Sequence, residues 1–539
     1  MPAARKGKAV TATGHADTLF YGSVITMDQT RPRAGGVAVR AGKVLAVGSA
    51  AELHGLAGPG TRVVQLEGRT LMPGFHDAHV HLTGTGEELD HINLFDAATL
   101  DEALARIRRR AAELGPNDWV RGAGFALHRW GLTRITPAEA DALDAAAGGR
   151  PVLLASQDHH STWVSRSALA LAGVGAHTSV PGGVIELDDD SEPTGLLLEE
   201  ARDLVDTALP PADAATMTRW LQKAAEHFAA LGVTTVHHMA AEPAAYFRQL
   251  ALAASDPGYP LRVWACVPHA QIEAAAAIGL ATGQGGRNFT VGGAKFFVDG
   301  ALGSRTAWML EPYLGAATTG IVVDGPEVLA ERVPLALAAG LTPVIHAIGD
   351  AATRAVVDVY EATAPQWRAA GLRPRLEHAQ HMHEDDVRRA GALGIVASMQ
   401  PIHLTFDVDS VATELADREG RAYPMRSLAR AGAVLAFGSD SPVAPPDPYE
   451  GLRAAARRAA PSGRRLMPAE AVGPDEALSA YTRGAAYAVH AEDRSGMLAP
   501  GYDADLVVLT HDPTVSLDGL AAVATMKGGR FTHGENALG

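Results

Sequence analysis

Pro73-Gly74-Phe75-His76-Asp77-Ala78-His79-Val80-His81 is the stretch on which the fold turns. Side chains alternate faces along a strand, so His79 and His81 point the same way. Two imidazoles side by side at a strand end can hold one metal ion. Taken alone, the His-x-His pair is weak evidence for a metal, since two solvated histidines are common. What decides between the readings is whether the pattern recurs.

It recurs. Short apolar runs closed by polar residues lie at 71–80, 232–239, 261–267, 293–299, 342–348, 373–379, 394–400 and 433–440. Ala/Arg/Glu-rich helical sequence fills the intervals. Eight strands alternating with helices predict an α/β fold, a TIM (β/α)₈ barrel. Four later runs carry a metal-capable residue: Lys295, His346, His378 and Asp440. In a parallel barrel the C-terminal strand ends converge on one face, so these residues are expected to meet His79 and His81. Imidazole and carboxylate together suit Zn or a similar divalent ion.

Lys295 carries a separate argument. Only six of the 46 basic residues are lysine, and this one stands in an apolar strand, where a bare ammonium is costly. Arginine cannot replace an amine that must lose its charge. A lysine carboxylated by CO₂ would be an anionic ligand bridging two metals. The plainer alternative is a buried ion pair with Asp299.

Outward from the barrel, residues 15–70 and 495–539 are β-rich, and Ala41-Gly42 signals a hairpin. The two ends are expected to share one small β-sandwich domain around a barrel at 71–494. The interval 84–225 is too long for one helix and holds strand candidates at 118–121 and 151–155. It reads as an insertion over the barrel mouth, where loops shape substrate access.

Composition narrows the function. Net charge is -15, against a nucleic-acid partner. No run of about 18 apolar residues predicts a membrane span. The single cysteine, Cys266, excludes an internal disulfide and points to a reducing, cytoplasmic setting.

The pattern resembles the amidohydrolase superfamily, within it the amidohydrolase-3 or YtcJ-like branch that includes N-substituted formamide deformylases. Matching segments run from the His79/His81 motif through Gly122–Gly124, Trp163-Val164 and Pro193-Thr194-Gly195. They continue through Lys295 to Gly300, Ser304–Ala307, His346–Asp350, Arg375–Gln380 and Gly438–Val443, and end at Gly501–Leu509. The resemblance implies that His79, His81 and Asp440 bind one ion. Carboxylated Lys295 would bridge to a second, held by His346 and His378. Zn is the first expectation, as one or two ions, with a small-molecule substrate and a homodimer. Departures from the branch are Phe125 where Trp is common, Ser165 where Asn is common, and His238 where Asp is usual. They bear on specificity.

The reaction expected is hydrolysis of a non-peptide C–N bond in an amide, N-substituted formamide or carbamate. Asp440 would serve as general base and then acid, and His160 would help polarise the carbonyl. Arg305, Phe125 and His238 are candidate substrate contacts, with an Arg305–Asp299 pair as the alternative for Arg305. Asp350 is a candidate orienter of His346, Asp77 reads as structural, and His381 and His383 as solvated. Alternatives that remain are a cyclic amidase or aminohydrolase with the same metals, and a metal-binding protein without turnover. A sugar-active barrel using Glu199 and Glu377 leaves the histidines and Lys295 unexplained.

Overall fold

The computed structural model describes residues 14–115, 118–157, 161–180, 182–240 and 245–538. All eight expected barrel strands form, in chain order around one parallel sheet. They are β1 (Phe75–Val80), β2 (Val233–His238), β3 (Arg262–Pro268), β4 (Phe289–Phe297), β5 (Pro343–Ala347), β6 (Arg375–His378), β7 (Val396–Met399) and β8 (Val434–Phe437). Most of their residues are buried, as a sheet covered by helices requires.

The ring closes at the rim. Val80 bridges Ser441 in parallel, the His81 N–H donates to the Ser441 carbonyl at 2.8 Å, and the Asp440 N–H donates to the His79 carbonyl at 2.7 Å. The closure therefore fixes the backbone of Asp440 against the two histidines of β1.

The run at 71–80 is two strands. Arg62–Pro73 belongs to a terminal sheet, and β1 begins at Phe75. Between them, a Cβ on Gly74 would stand 2.3 Å from the Thr234 side chain, so this crossing needs glycine. Arg62–Pro73 lies at the centre of a seven-stranded sheet. Thr18–Ile25, Arg33–Arg40 and Lys43–Gly48 extend it on one side, and Leu506–Leu509, Ala522–Lys527 and Arg530–His533 on the other. Ala41 and Gly42 have φ of 50° and 75°, the left-handed pair of a tight hairpin.

Gly86–Trp220 form a compact unit of their own. Its six-stranded sheet runs Gly183–Leu187, Pro193–Glu199, Ser161–Val164, Val152–Ser156, Val120–Phe125, Ile92–Asn93. Ser165 caps the helix Arg166–Ala172, accepting the Ala168 N–H, and also takes the Val152 N–H at 2.8 Å. The unusual residue at this position is thus a helix cap. Among the described residues no helix is long and apolar enough to cross a membrane.

Candidate metal centre

At the C-terminal rim of the barrel, His79 Nε2 lies 3.2 Å and His81 Nε2 3.3 Å from the same oxygen of Asp440, Oδ1. The other nitrogen of His79, Nδ1, is 2.7 Å from Glu377 Oε2. A carboxylate there accepts the Nδ1–H bond and leaves the Nε2 lone pair facing Asp440, the arrangement that orients a metal-ligating imidazole. Glu377 is itself held by Arg375, whose Nε donates to Oε1 at 2.8 Å. Both residues are fully buried.

The rest of the Arg375 guanidinium is spent as carefully. It donates to the Ala78 carbonyl at 2.6 Å and to Ser398 Oγ at 3.0 Å, and meets His237 Nδ1 at 3.1 Å. Burial opposes ionisation of Glu377, but the Arg375 charge and the bond from His79 overcome it and hold the carboxyl down to about 2. Asp440 is likewise held well below the usual carboxylate range. Burial again opposes its charge, and the imidazoles of His79, His81 and His378 prevail. Burial pushes the basicity of His79 and His378 down, toward the neutral form in which an imidazole binds metals.

Several polar atoms at this rim are buried without a hydrogen-bond partner: His378 Nδ1, His403 Nε2, Lys295 Nζ and Asp440 Oδ1. Such atoms are costly to strand away from water, and their concentration in one place fits a site completed by a cation and a substrate. Among the described residues, two groupings have their donor atoms close enough to share an ion, His79–His81–Asp440 and His378–His403–Asp440. Two of these residues sit on left-handed backbone, His378 at φ 72° and Asp440 at φ 64°. Strain of this kind in non-glycine residues collects where side chains must be aimed.

His346 packs its ring 4.3 Å from that of His378, but its Nε2 meets the Gly300 carbonyl at 3.1 Å and Asp299 Oδ1 at 3.4 Å. His403, not His346, completes the grouping with His378. Lys295 is buried with its ammonium 4.8 Å from the Phe297 ring centroid, and burial lowers its basicity. Asp299 does not pair with it. The Asp299 carboxylate instead accepts the N–H groups of Ile348, Gly349 and Trp308 at 2.8–3.0 Å.

The site opens into a cavity of about 600 Å³ whose apolar wall includes Phe297, Leu302, Ile348, Phe406 and Val443. Three residues expected as substrate contacts have other partners. Arg305 pairs with Glu414 at 2.8 Å, because a left-handed turn at φ 54° aims it outward. Phe125 is buried in the core of the inserted unit, its ring against Trp130 and Trp163. His238 is buried too, and its Nδ1 accepts the Leu82 N–H at 3.2 Å, so it supports the chain after β1 rather than lining the cavity.

Asp350 accepts from the Leu310 N–H and from Arg421, and Asp299 takes the place beside His346 that was expected of it. His381 is fully buried, with Nε2 3.2 Å from the Arg418 carbonyl, and His383 caps a helix through the Asp385 N–H. Asp77 is structural as expected, accepting the Ser439 and His79 N–H groups at 2.9 and 3.2 Å. His160, expected near the carbonyl, lies outside the described residues, as does its neighbour His159.

Comparison with known proteins gives a consistent picture. The amidohydrolase-3 model, described as Amidohydrolase family, matches residues 62–533. Protein LONG AFTER FAR-RED 3 of Arabidopsis thaliana is 32% identical, over 94% of this chain and 90% of its own. The N-substituted formamide deformylase of Arthrobacter pascens is 31% identical, over 92% of this chain and 93% of its own. A crystal structure of an uncharacterized metal-dependent hydrolase from Pyrococcus horikoshii superposes with a TM-score of 0.76 at 27% identity, covering 93% of this chain and 99% of that one.

Proposed function

The chain belongs to the Amidohydrolase family, and from that premise we propose that it is a metal-dependent hydrolase of non-peptide C–N bonds, with neutral amides or N-substituted formamides as substrates. The observation that carries the reading is the convergence of His79 and His81 on one oxygen of buried Asp440.

His79, His81 and Asp440 would hold one ion. His378 would contribute to a second, with Lys295 joining as a bridging ligand if carboxylated. Burial of the Lys295 amine and its lack of a hydrogen-bond partner favour the neutral amine that CO₂ requires. A bound divalent ion lowers the pKa of water toward neutrality and polarises a carbonyl. Asp440 is the group placed to take the proton of the attacking water and pass it to the leaving nitrogen. Glu377 holds the tautomer of His79 throughout.

The cavity argues about substrate. Among the described residues lining it there is no arginine or lysine, and Arg305 is spent on Glu414. A substrate carboxylate therefore has no counter-ion there, while an apolar N-substituent has Phe297, Leu302 and Phe406 to cover it. Neutral formamides fit better than N-acyl amino acids.

Elemental analysis followed by a panel of N-formyl amines, N-acyl amino acids and cyclic ureides tests the proposal. Expected are at least one divalent ion per chain and turnover of an N-formyl amine with an apolar substituent. A metal-loaded protein inert toward the whole panel would overturn the function, and turnover confined to N-acyl amino acids would overturn the substrate class.

A further inference from the structure

His403, in the cavity wall, has its ring nitrogens divided between a fixed partner and empty space. It stands on the first turn of the helix Pro401–Glu414, which follows β7 directly. Pro401 at the first helical position starts that turn sharply. The turn lifts His403 from the strand end to the cavity, with its side chain 12% exposed. The Gln380 amide Nε2 donates to His403 Nδ1 at 3.2 Å. A nitrogen that accepts carries no proton, so the neutral ring carries its proton on Nε2.

That Nε2 has no hydrogen-bond partner. The nearest carboxylate oxygen, Asp440 Oδ2, is 3.6 Å away, beyond hydrogen-bonding distance. A protonated Nε2 has no lone pair to offer an ion. It is a donor held in a largely water-excluded wall, beside the group placed to move the proton, with nothing yet to donate to.

We infer that His403 is a catalytic hydrogen-bond donor, its Nε2–H binding the substrate's carbonyl oxygen and stabilising the negative charge that grows there, with Gln380 fixing the tautomer. The inference rests on the hydrolase reading above. It assigns His403 a role different from that of His79 and His378, although all three imidazoles face the same carboxylate. A preorganised donor aimed at a developing oxyanion accounts for roughly 10²–10³-fold in rate.

Three measurements test it. His403→Leu removes the donor, and His403→Gln keeps an N–H at similar reach. Expected for His403→Leu are unchanged metal content, unchanged melting temperature and a kcat on the N-formyl amine panel lower by about 10²–10³-fold. His403→Gln should recover at least ten-fold of that loss, by about the margin one hydrogen bond supplies. Loss of an ion from metal-loaded His403→Leu would overturn the donor role and make His403 a ligand. Undiminished kcat, or no recovery with glutamine in a folded, metal-replete protein, would overturn it as well.

The third measurement separates this inference from the function itself. Long-range ¹H–¹⁵N spectra of histidine-labelled protein, assigned by comparison with His403→Leu, report the tautomer without any turnover. A proton on Nε2 is expected, and a proton on Nδ1 overturns the inference whatever the panel shows. A wild-type protein inert toward the panel overturns the hydrolase reading and with it the catalytic role, even where the tautomer is as expected.

Discussion

The rim of the barrel and the layer just beneath it are built from the same residue types to opposite ends. Beneath the rim, Arg375, Glu377 and Ser398 close on one another, and His237 meets the guanidinium through Nδ1 while its Nε2 has no hydrogen-bond partner. Every nitrogen of the Arg375 guanidinium has an acceptor, although the side chain is fully buried. At the rim, His378, His403, Lys295 and Asp440 each strand a polar atom. Satisfied buried networks rigidify a core, and unsatisfied ones are unstable unless a ligand completes them. The lower layer is therefore the scaffold, and the upper layer is the part left unfinished for a cation and a substrate. Glu377 joins the two, accepting from Arg375 at both oxygens and meeting His79 at Oε2.

The sharpest way to break this division is at Asp440. Asp440→Asn should fold and melt like the parent while losing at least ~10³-fold in kcat, more than a missing donor costs, because the proton acceptor itself is gone. Turnover near the parental rate would remove Asp440 from the chemistry. The mirror experiment is Arg375→Met, which strands Glu377 as an unpaired buried charge. It should cost about 3–5 kcal/mol of stability in denaturant unfolding, the range for breaking a buried ion pair. A loss under 1 kcal/mol would mean that the lower layer is not the scaffold.

The sequence made the rim more legible than its support. The barrel strands were readable because each is a short apolar run ending in a polar residue, and because alternation along a strand needs no knowledge of neighbours. His79, His81 and Asp440 came out the same way. Arg375 and Glu377 share a face at i and i+2 in a buried strand, the spacing of the ion pair they form. His403 was invisible for a different reason. It lies on a helix, and only the proline-started turn after β7 brings it to the cavity. Arg305 went the other way, because its partner Glu414 is distant in sequence and its backbone turns left-handed. Phe125 reads as a pocket aromatic by analogy, yet it packs with Trp130 and Trp163, a choice made by tertiary contacts alone.

Glu377→Gln tests the joint between the layers. The amide keeps the shape but loses the charge that orders His79. Metal affinity or kcat should fall by about 10–100-fold, as for other partners that orient a ligating histidine. An unchanged affinity would show that His79 needs no anchor.

The smallest expected effect lies deepest. His76 sits at the start of β1, fully buried, its Nε2 2.8 Å from Ser495 Oγ. Burial pushes its pKa down to about 4 from an ordinary 6.5. Between those values the unfolded chain binds a proton that the folded chain refuses. This contribution to stability is thus complete above pH 6.5 and is lost as the pH falls toward 4. At pH 5.5 the loss from this one group should be about 1.4 kcal/mol. His76→Asn should flatten that part of the stability curve while leaving the rim's metal content unchanged. An acid slope identical to the parent's would mean that His76 is protonated in the folded protein, and that the lower layer tolerates a charge it was built to exclude.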